Sequence, residues 1–275
     1  MTNREVAKQF KAEATPEGVG VTVHRSIGTR TQNTLDPFLL LDEFVIAGDA
    51  KGAGFPDHPH RGFETVTYML SGHMKHADSA GNGGIIGPGE VQWMTAGSGV
   101  VHSEMPRLDG GEVRGMQLWV NLPATEKMRD PCYQDISAEM IPEVDLGDNG
   151  LLRVVAGSFG ETVGPVTEIS VRPLYLDLRL GSGGTAYIPI PEGHAAFIYC
   201  LEGCLALGDQ EIEVGQRFLA VLTDGDGIKV RALERAARAI LVAARPIGEP
   251  IVRYGPFVMN TRQEIAQAIK DFQLG

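Results

Sequence analysis

The chain has 275 residues, and its 24 Lys and Arg against 35 Asp and Glu give a formal net charge of −11. This balance argues against direct nucleic-acid binding, which depends on clustered cations that release counterions from phosphates. An apolar fraction of 43% without 18 consecutive apolar residues indicates a globular protein and no membrane span. The three cysteines form no CxxC motif, so we expect reduced thiols and a cytoplasmic location.

Glycines separate many short runs that are rich in β-branched and aromatic residues. The runs cover, in chain order, residues 18–27, 38–47, 64–70, 91–95, 116–122, 151–155, 174–180, 196–201, 217–223 and 239–243. Many short strands with frequent turn signals are typical of an all-β sandwich or barrel. We therefore predict an all-β fold.

One helix is predicted, at the C-terminus. Thr261 and Glu264 have the spacing of a capping box. Behind them Ile265, Ile269 and Phe272 repeat at helical spacing and form one apolar face. We expect this helix to cover the outside of a sheet.

The two halves of the chain resemble each other. Residues 67–72 (TYMLSG) are similar to residues 198–203 (IYCLEG), and residues 88–94 are similar to residues 214–220. Prolines, acidic residues and glycines interrupt the strand pattern between about residues 125 and 150. We predict two antiparallel β-barrels, with residues 1–135 in the first and residues 136–275, including the helix, in the second.

Two pairs of candidate metal ligands lie in the first half: His58 with His60, and His102 with Glu104. Side chains two residues apart on a strand point to the same face, and Pro59 favours an extended conformation at His58. Two neighbouring strands would thus present three imidazoles and one carboxylate to one divalent transition metal ion per chain. A six-coordinate ion would keep two open positions, which suits Fe(II), with Mn, Co, Ni, Cu or Zn as alternatives.

Six further residues are predicted to surround these ligands: Arg61, Phe63, Glu64, Trp93, Met94 and Met105. Glu64 is expected to be a buried hydrogen-bond partner, with direct ligation as the alternative. Arg61 would either attract an anionic ligand or form a structural ion pair. The aromatic residues and methionines would fill the barrel core, and some of them would line a cavity at the metal.

The second half lacks the corresponding ligands. The internal repeat carries the four candidate ligands onto Pro189, Pro191, Ile228 and Val230. None of these side chains has a donor atom for a metal ion. We therefore predict a second barrel without metal.

The segments that hold the candidate ligands resemble the signature of the pirin family within the cupin superfamily. They are residues 58–68 (HPHRGFETVTY), 78–82 (DSAGN) and 89–104 (GEVQWMTAGSGVVHSE). Residues 37–44 and 255–261 are similar to other landmarks of that family. The resemblance implies a bicupin of two jelly-roll-like barrels, with one non-haem metal held by His58, His60, His102 and Glu104.

The resemblance implies two functional hypotheses. Bacterial pirins include quercetin 2,3-dioxygenases, so one hypothesis is a metal-dependent dioxygenase that acts on a flavonol or a related enol with O₂. In this case Glu104 would be the catalytic proton acceptor. The alternative is a redox-sensitive metal-binding regulator that acts on a protein partner. A cavity lined by Phe63, Trp93 and Met94 would favour the enzyme, and a flat charged patch would favour the regulator.

Overall fold

The computed structural model describes residues 2–108, 111–147, 150–167 and 169–274. The strands up to residue 136 are β1 (Val6–Lys11), β2 (Glu13–Glu17), β3 (Val21–Ile27), β4 (Phe38–Ile46), β5 (Phe55–His60), β6 (Phe63–Ser71), β7 (His73–Asp78), β8 (Gly83–Ile86), β9 (Val91–Thr95), β10 (Val100–Arg107), β11 (Val113–Asn121) and β12 (Cys132–Ile136). After a 3₁₀ turn at Ala138–Met140 follow β13 (Glu143–Gly147), β14 (Gly150–Ala156), β15 (Ser158–Phe159), β16 (Thr162–Val163), β17 (Leu174–Leu180), β18 (Thr185–Pro189), β19 (Ala195–Glu202), β20 (Cys204–Leu207), β21 (Ile212–Gly215), β22 (Phe218–Leu222), β23 (Gly227–Ala232), β24 (Ala237–Ala244), β25 (Val252–Tyr254), β26 (Phe257–Met259) and helix α1 (Arg262–Leu274). Within these ranges, no helix has the length and apolar character needed to cross a membrane.

The chain divides into two compact units, and each unit is built from two segments that are not contiguous in sequence. The first unit comprises Glu13–Ala138 and Ile247–Gly275, and the second comprises Met1–Ala12 and Glu139–Pro246. The sequence prediction instead placed one boundary between residues 135 and 136 and assigned the helix to the second barrel. Two interactions account for this difference: β1 pairs with β22 of the second unit, and α1 packs on β25 and β26 of the first.

Each unit contains a seven-stranded and a four-stranded antiparallel sheet. In the first unit the strand orders are β12-β9-β6-β11-β4-β3-β2 and β5-β10-β7-β8. In the second unit they are β1-β22-β19-β24-β17-β14-β13 and β18-β23-β20-β21. The orders correspond strand for strand, as the internal repeat predicted. The predicted all-β architecture with a C-terminal helix is confirmed.

The two units differ in what fills their interiors. A large apolar cluster fills the second unit and includes Ile188, Ile228 and Val230, all at most 1% exposed. The apolar cluster beside β5 and β10 in the first unit is smaller, and the same strands also bury His60, His102 and Glu104. The polar interior of the first unit therefore marks it as the unit with a functional site.

The predicted cap of the C-terminal helix is confirmed. The backbone N–H of Glu264 donates to Thr261 Oγ1 at 3.2 Å, and the backbone N–H of Thr261 donates to Glu264 Oε2 at 2.7 Å. The apolar face of the helix, with Ile265 and Ala268, packs on the β25–β26 hairpin. The C-terminal segment is thereby fixed to the first unit.

Candidate metal centre

Strands β5 and β10 bring three histidines to one point. The two strands are antiparallel neighbours, and His58 lies directly opposite His102 in their register. One nitrogen from each of His58, His60 and His102 lies within 4.8 Å of the other two. Because β-strand side chains two residues apart share a face, the spacing of His58 and His60 places both rings toward His102.

The donor atoms of this group fit a divalent transition metal. The Pro56 carbonyl lies 2.8 Å from His58 Nδ1, so that nitrogen carries the proton and Nε2 remains as a donor for metal. His60 Nδ1 and both ring nitrogens of His102 are buried without a hydrogen-bond partner. Such orphaned polar atoms are costly, and coordination to a metal would satisfy them.

The electrostatic environment keeps two of these imidazoles, those of His60 and His102, neutral. Burial, reinforced by the neighbouring histidines, lowers the pKa of His60 well below its ordinary value. Burial also lowers the pKa of His102, to about 3. Metal ions bind the neutral form of histidine, so at neutral pH no proton competes for these two rings.

Glu104 lies two residues after His102 on β10 and therefore on the same face of the strand. Its carboxylate is 6% exposed but lies outside the group of three histidines that meets the 4.8 Å distance. The pairing of β10 with β5 shifts register between His102 and Glu104. The Thr67 hydroxyl lies 3.0 Å from Glu104 Oε1 and 2.7 Å from Gln117 Oε1. The carboxylate is thus held by Thr67, and its role as a ligand stays a prediction.

A cavity of about 520 Å³ opens onto His58, His60 and Glu104. Its other walls are Glu17, Gly18, Val19, Val23, Arg25, Leu40, Asp42, Phe44, Phe55, Pro56, Asp57, Gln117, Trp119, Arg253, Gly255 and Pro256. The volume lies within the range of about 300–1,000 Å³ that is usual for small-molecule sites. The site is therefore a concave pocket and not a flat charged patch.

Phe63, Trp93, Met94 and Met105 were expected to fill the barrel core and some of them to line this cavity, but none of the four is among its described lining residues. The cavity instead lies against one face of β3, β4 and β11, where every second residue points toward it. One signal could have identified that face: a polar residue within an otherwise apolar strand. Asp42 in β4 and Gln117 in β11 are such residues.

The predicted pocket aromatics and methionines lie behind the cavity wall. The Phe63 ring packs 5.1 Å from the His60 ring and 4.3 Å from the Trp119 ring, so it supports both from the core. Met94 is fully buried beside Val100. Met105 lies against Gly54, where an added Cβ would overlap its side chain.

Arg61 and Glu64 adopt the structural alternatives that the sequence left open. Arg61 Nη1 lies 2.6 Å from Asp271 Oδ2 of α1, which ties the residue after His60 to the C-terminal helix. Glu64 accepts hydrogen bonds from Trp93 Nε1 at 3.1 Å and from Thr95 Oγ1 at 2.9 Å. Burial raises the pKa of Glu64 to about 7.

We expect Glu64→Gln to change how stability depends on pH. The folded protein binds a proton at Glu64 between its ordinary pKa of 4.5 and about 7, whereas the unfolded chain does not. The contribution of Glu64 to stability therefore decreases as pH rises through this window, by up to about 3 kcal/mol. His60 and His102 have the opposite dependence but occur in both proteins. The test is urea unfolding of the metal-free wild type and variant at several pH values. The unfolding free energy of the wild type minus that of the variant should fall as pH rises from 4.5 to about 7. A difference that does not change with pH would contradict the prediction.

Comparisons with known proteins match both halves of the chain. The family model described as Pirin matches residues 20–120, and the model described as the Pirin C-terminal cupin domain matches residues 175–275. A pirin-like protein of Caulobacter vibrioides is 45% identical over 279 residues, which cover 100% of this chain and 99% of that protein. Pirin of Homo sapiens is 42% identical over 278 residues, which cover 99% of this chain and 93% of that protein.

A solved structure has the same bicupin fold. The crystal structure of quercetin 2,3-dioxygenase from Acinetobacter baumannii matches with a TM-score of 0.93 and 36% sequence identity, over 100% of this chain and 98% of that chain. The resemblance found in residues 58–68, 78–82 and 89–104 thus extends over the whole length. The chain belongs to the pirin family.

Proposed function

We propose that this protein is a metal-dependent dioxygenase that acts on a flavonol or a related enol with O₂. The observation that carries the proposal is the group of three clustered histidines at one end of a largely apolar cavity of about 520 Å³. The similarity to a protein named quercetin 2,3-dioxygenase supports the proposal. A concave cavity of this volume suits a small-molecule substrate, although Phe63, Trp93 and Met94 do not line it, whereas a regulator acting through its surface needs no such volume.

We assign the metal to His58, His60, His102 and Glu104. Three imidazoles and a carboxylate favour a divalent first-row ion, with Fe(II) as the first choice and Mn, Co, Ni, Cu or Zn as alternatives. Any of these ions, when bound, would supply Lewis acidity that makes an enol hydroxyl more acidic, and the redox-active ones, which exclude Zn, would also supply reactivity toward O₂. The remaining steps depend on side chains of the chain itself.

The cavity walls would hold and orient the substrate. Leu40, Phe55 and Trp119 offer apolar surfaces that exclude water around an aromatic ring. Thr67 holds Glu104 Oε1, so Oε2 remains to accept the proton when the O–H bond of the enol breaks. Burial raises the pKa of Glu104, and a more basic carboxylate is a better proton acceptor.

The proposal places metal in the first unit alone. In the second unit, the strand pair β18–β23 corresponds to β5–β10, and Ile188 lies opposite Ile228 in its register. Ile228 and Val230 belong to a close-packed apolar core. An ion there would have to displace packed side chains that offer no donor atoms, so we assign the second unit a structural role.

Oxygen consumption tests the proposed activity. Protein reconstituted with Fe(II), Mn(II), Co(II), Ni(II) or Cu(II) should consume O₂ when quercetin or a related enol is added. Glu104→Gln should lower turnover by about 10²–10⁴-fold, because the amide cannot accept the proton. Bound metal should be measured in the same samples, since the substitution also weakens coordination.

Glu161→Gln is the matched control, because Glu161 is exposed in the second unit. We expect this variant to retain wild-type turnover. Absence of metal-dependent oxygen uptake with a panel of flavonols and enols would contradict the proposal and would favour a regulator that acts through protein contacts.

A further inference from the structure

Arg253 reaches the cavity from the C-terminal segment. Its guanidinium carbon lies 4.6 Å from the centre of the Trp119 ring. The Trp119 ring in turn lies 5.0 Å from the His60 ring. The Trp119 indole is therefore in contact with both the Arg253 guanidinium and the His60 imidazole on the same cavity wall.

Much of the hydrogen-bonding capacity of Arg253 is unused. Its Nε donates to the Gly255 carbonyl at 3.3 Å, and its Nη1 donates to the Leu39 carbonyl at 3.4 Å, both long for such bonds. A guanidinium has five N–H donors, so both hydrogens of Nη2 remain. Across the described ranges, no carboxylate lies within ion-pair distance of Arg253.

Arg25, the other arginine of the described lining, is already neutralised. Its Nε and Nη2 donate to the two oxygens of Asp42 at 2.8 and 2.7 Å. Nη2 also donates to Glu17 at 2.7 Å. With two carboxylates on Arg25, Arg253 is the one of the two arginines in the described lining that keeps open donors for a ligand.

The surroundings of Arg253 favour an anionic ligand. Burial and the nearby charge of Arg25 lower the pKa of Arg253 from its ordinary value, although an arginine stays protonated at neutral pH. A partly desolvated cation is stabilised by a carboxylate, because charge-assisted hydrogen bonds are stronger than neutral ones. Asp42 and Glu17 also favour the charged form of Arg253, but they direct their oxygens to Arg25.

We propose that Arg253 is an anion-binding residue, and that the substrate is an aromatic enol with a carboxylate at the end remote from the histidines. The enol end of this assignment rests on the proposed function, whereas the anion-binding end does not. A planar guanidinium stacked on Trp119 presents its edge to both oxygens of a carboxylate. The apolar walls between Arg253 and His60 would take the aromatic ring.

Two ligands that differ only in charge test this assignment. 6-Hydroxy-2-naphthoate and 6-hydroxy-2-naphthamide share the ring and the hydroxyl. Calorimetric titration of the metal-free full-length protein should show the carboxylate binding about 10-fold or more tightly than the amide. Arg253→Gln should remove this preference while leaving the affinity for the amide within about twofold. Arg253→Lys should keep part of the preference for the carboxylate, because lysine retains the positive charge but cannot bind both carboxylate oxygens with a planar group.

Arg262→Gln is the matched control, since it removes the same charge from an exposed position of α1 outside the described cavity lining. It should leave the preference unchanged. Raising the salt concentration should weaken binding of the carboxylate but not of the amide to the wild type, a measurement that stands even if Arg253→Gln folds poorly.

The assignment would be overturned if the wild type bound the carboxylate and the amide equally well, or did not bind the carboxylate at all. It would also be overturned if the preference for the carboxylate survived Arg253→Gln or did not fall as the salt concentration rises. The metal-free protein cannot turn over, so these results are separate from the oxygen-uptake test. A carboxylate preference without oxygenase activity would contradict the proposed function alone.

Discussion

Replacing His60 with alanine is expected to reduce bound metal from about one ion per chain to a small fraction of that value. His60 is 3% exposed and supplies one of the three clustered imidazoles. Loss of an outer hydrogen-bond partner of a metal ligand typically costs about 10–100-fold in affinity. Loss of a ligand itself from a buried site should cost more. Elemental analysis after reconstitution and desalting measures the effect directly.

His73→Ala is the control for this experiment. His73 lies at the start of β7 in the same unit but outside the group of three histidines. Its substitution should leave the metal content unchanged. Full metal retention in a His58→Ala/His102→Ala double variant would show that metal is bound elsewhere and would contradict the assignment.

Gly62→Ala is expected to be among the most destabilising single substitutions in the first unit. Gly62 has a φ of +87°, and a Cβ at this position would overlap the carbonyl oxygen of Val258. That contact cannot relax cheaply, because Lys127 Nζ donates to the carbonyls of both Gly62 and Val258. We expect a loss of at least about 4 kcal/mol in unfolding free energy.

Gly52→Ala separates backbone strain from the overlap. Gly52 has a φ of +78°, and no atom lies within 4 Å of a Cβ built there. This control should lose only about 1–2 kcal/mol, the cost of a left-handed conformation. Urea denaturation of the two variants gives both values. Equal losses of unfolding free energy in the two variants would show that the close approach of Val258 to Gly62 does not add to the cost of the substitution.

The two pairs of candidate ligands were accessible to sequence reasoning because the geometry within each pair is local. His58 and His60, like His102 and Glu104, stand two residues apart, and strand geometry alone places each pair on one face. The helix cap was equally local, since Thr261 and Glu264 contact each other within one turn. Spacing alone determines the contact within the cap, whereas the meeting of His102 with His58 and His60 also requires the pairing of β5 with β10.

The parts that sequence reasoning missed depend on contacts between distant segments. Half of the residues of β1 (VAKQFK) are polar and most are exposed, so its assignment as a strand depends on its pairing with β22. Trp119 and Arg253 meet across the first unit although no motif links them. Trp93 and Met94 occur in a segment that resembles the family signature, but β9 is buried on both faces, so both side chains lie in the core although they point in opposite directions.

Because β1 pairs within the second unit and residues 247–275 belong to the first, neither unit can finish folding until distant parts of the chain have been synthesised. The ribosome makes β1 first, yet this strand has no partner until β22 has emerged. The histidine strands β5 and β10 are made early, but Arg253, Gly255 and Pro256 of the cavity wall are made after the whole second unit. Such pairings of high sequence separation form slowly, because a long loop must close before they contribute. A nascent chain therefore carries its three histidines in an unfinished pocket until Arg253, Gly255 and Pro256 have emerged.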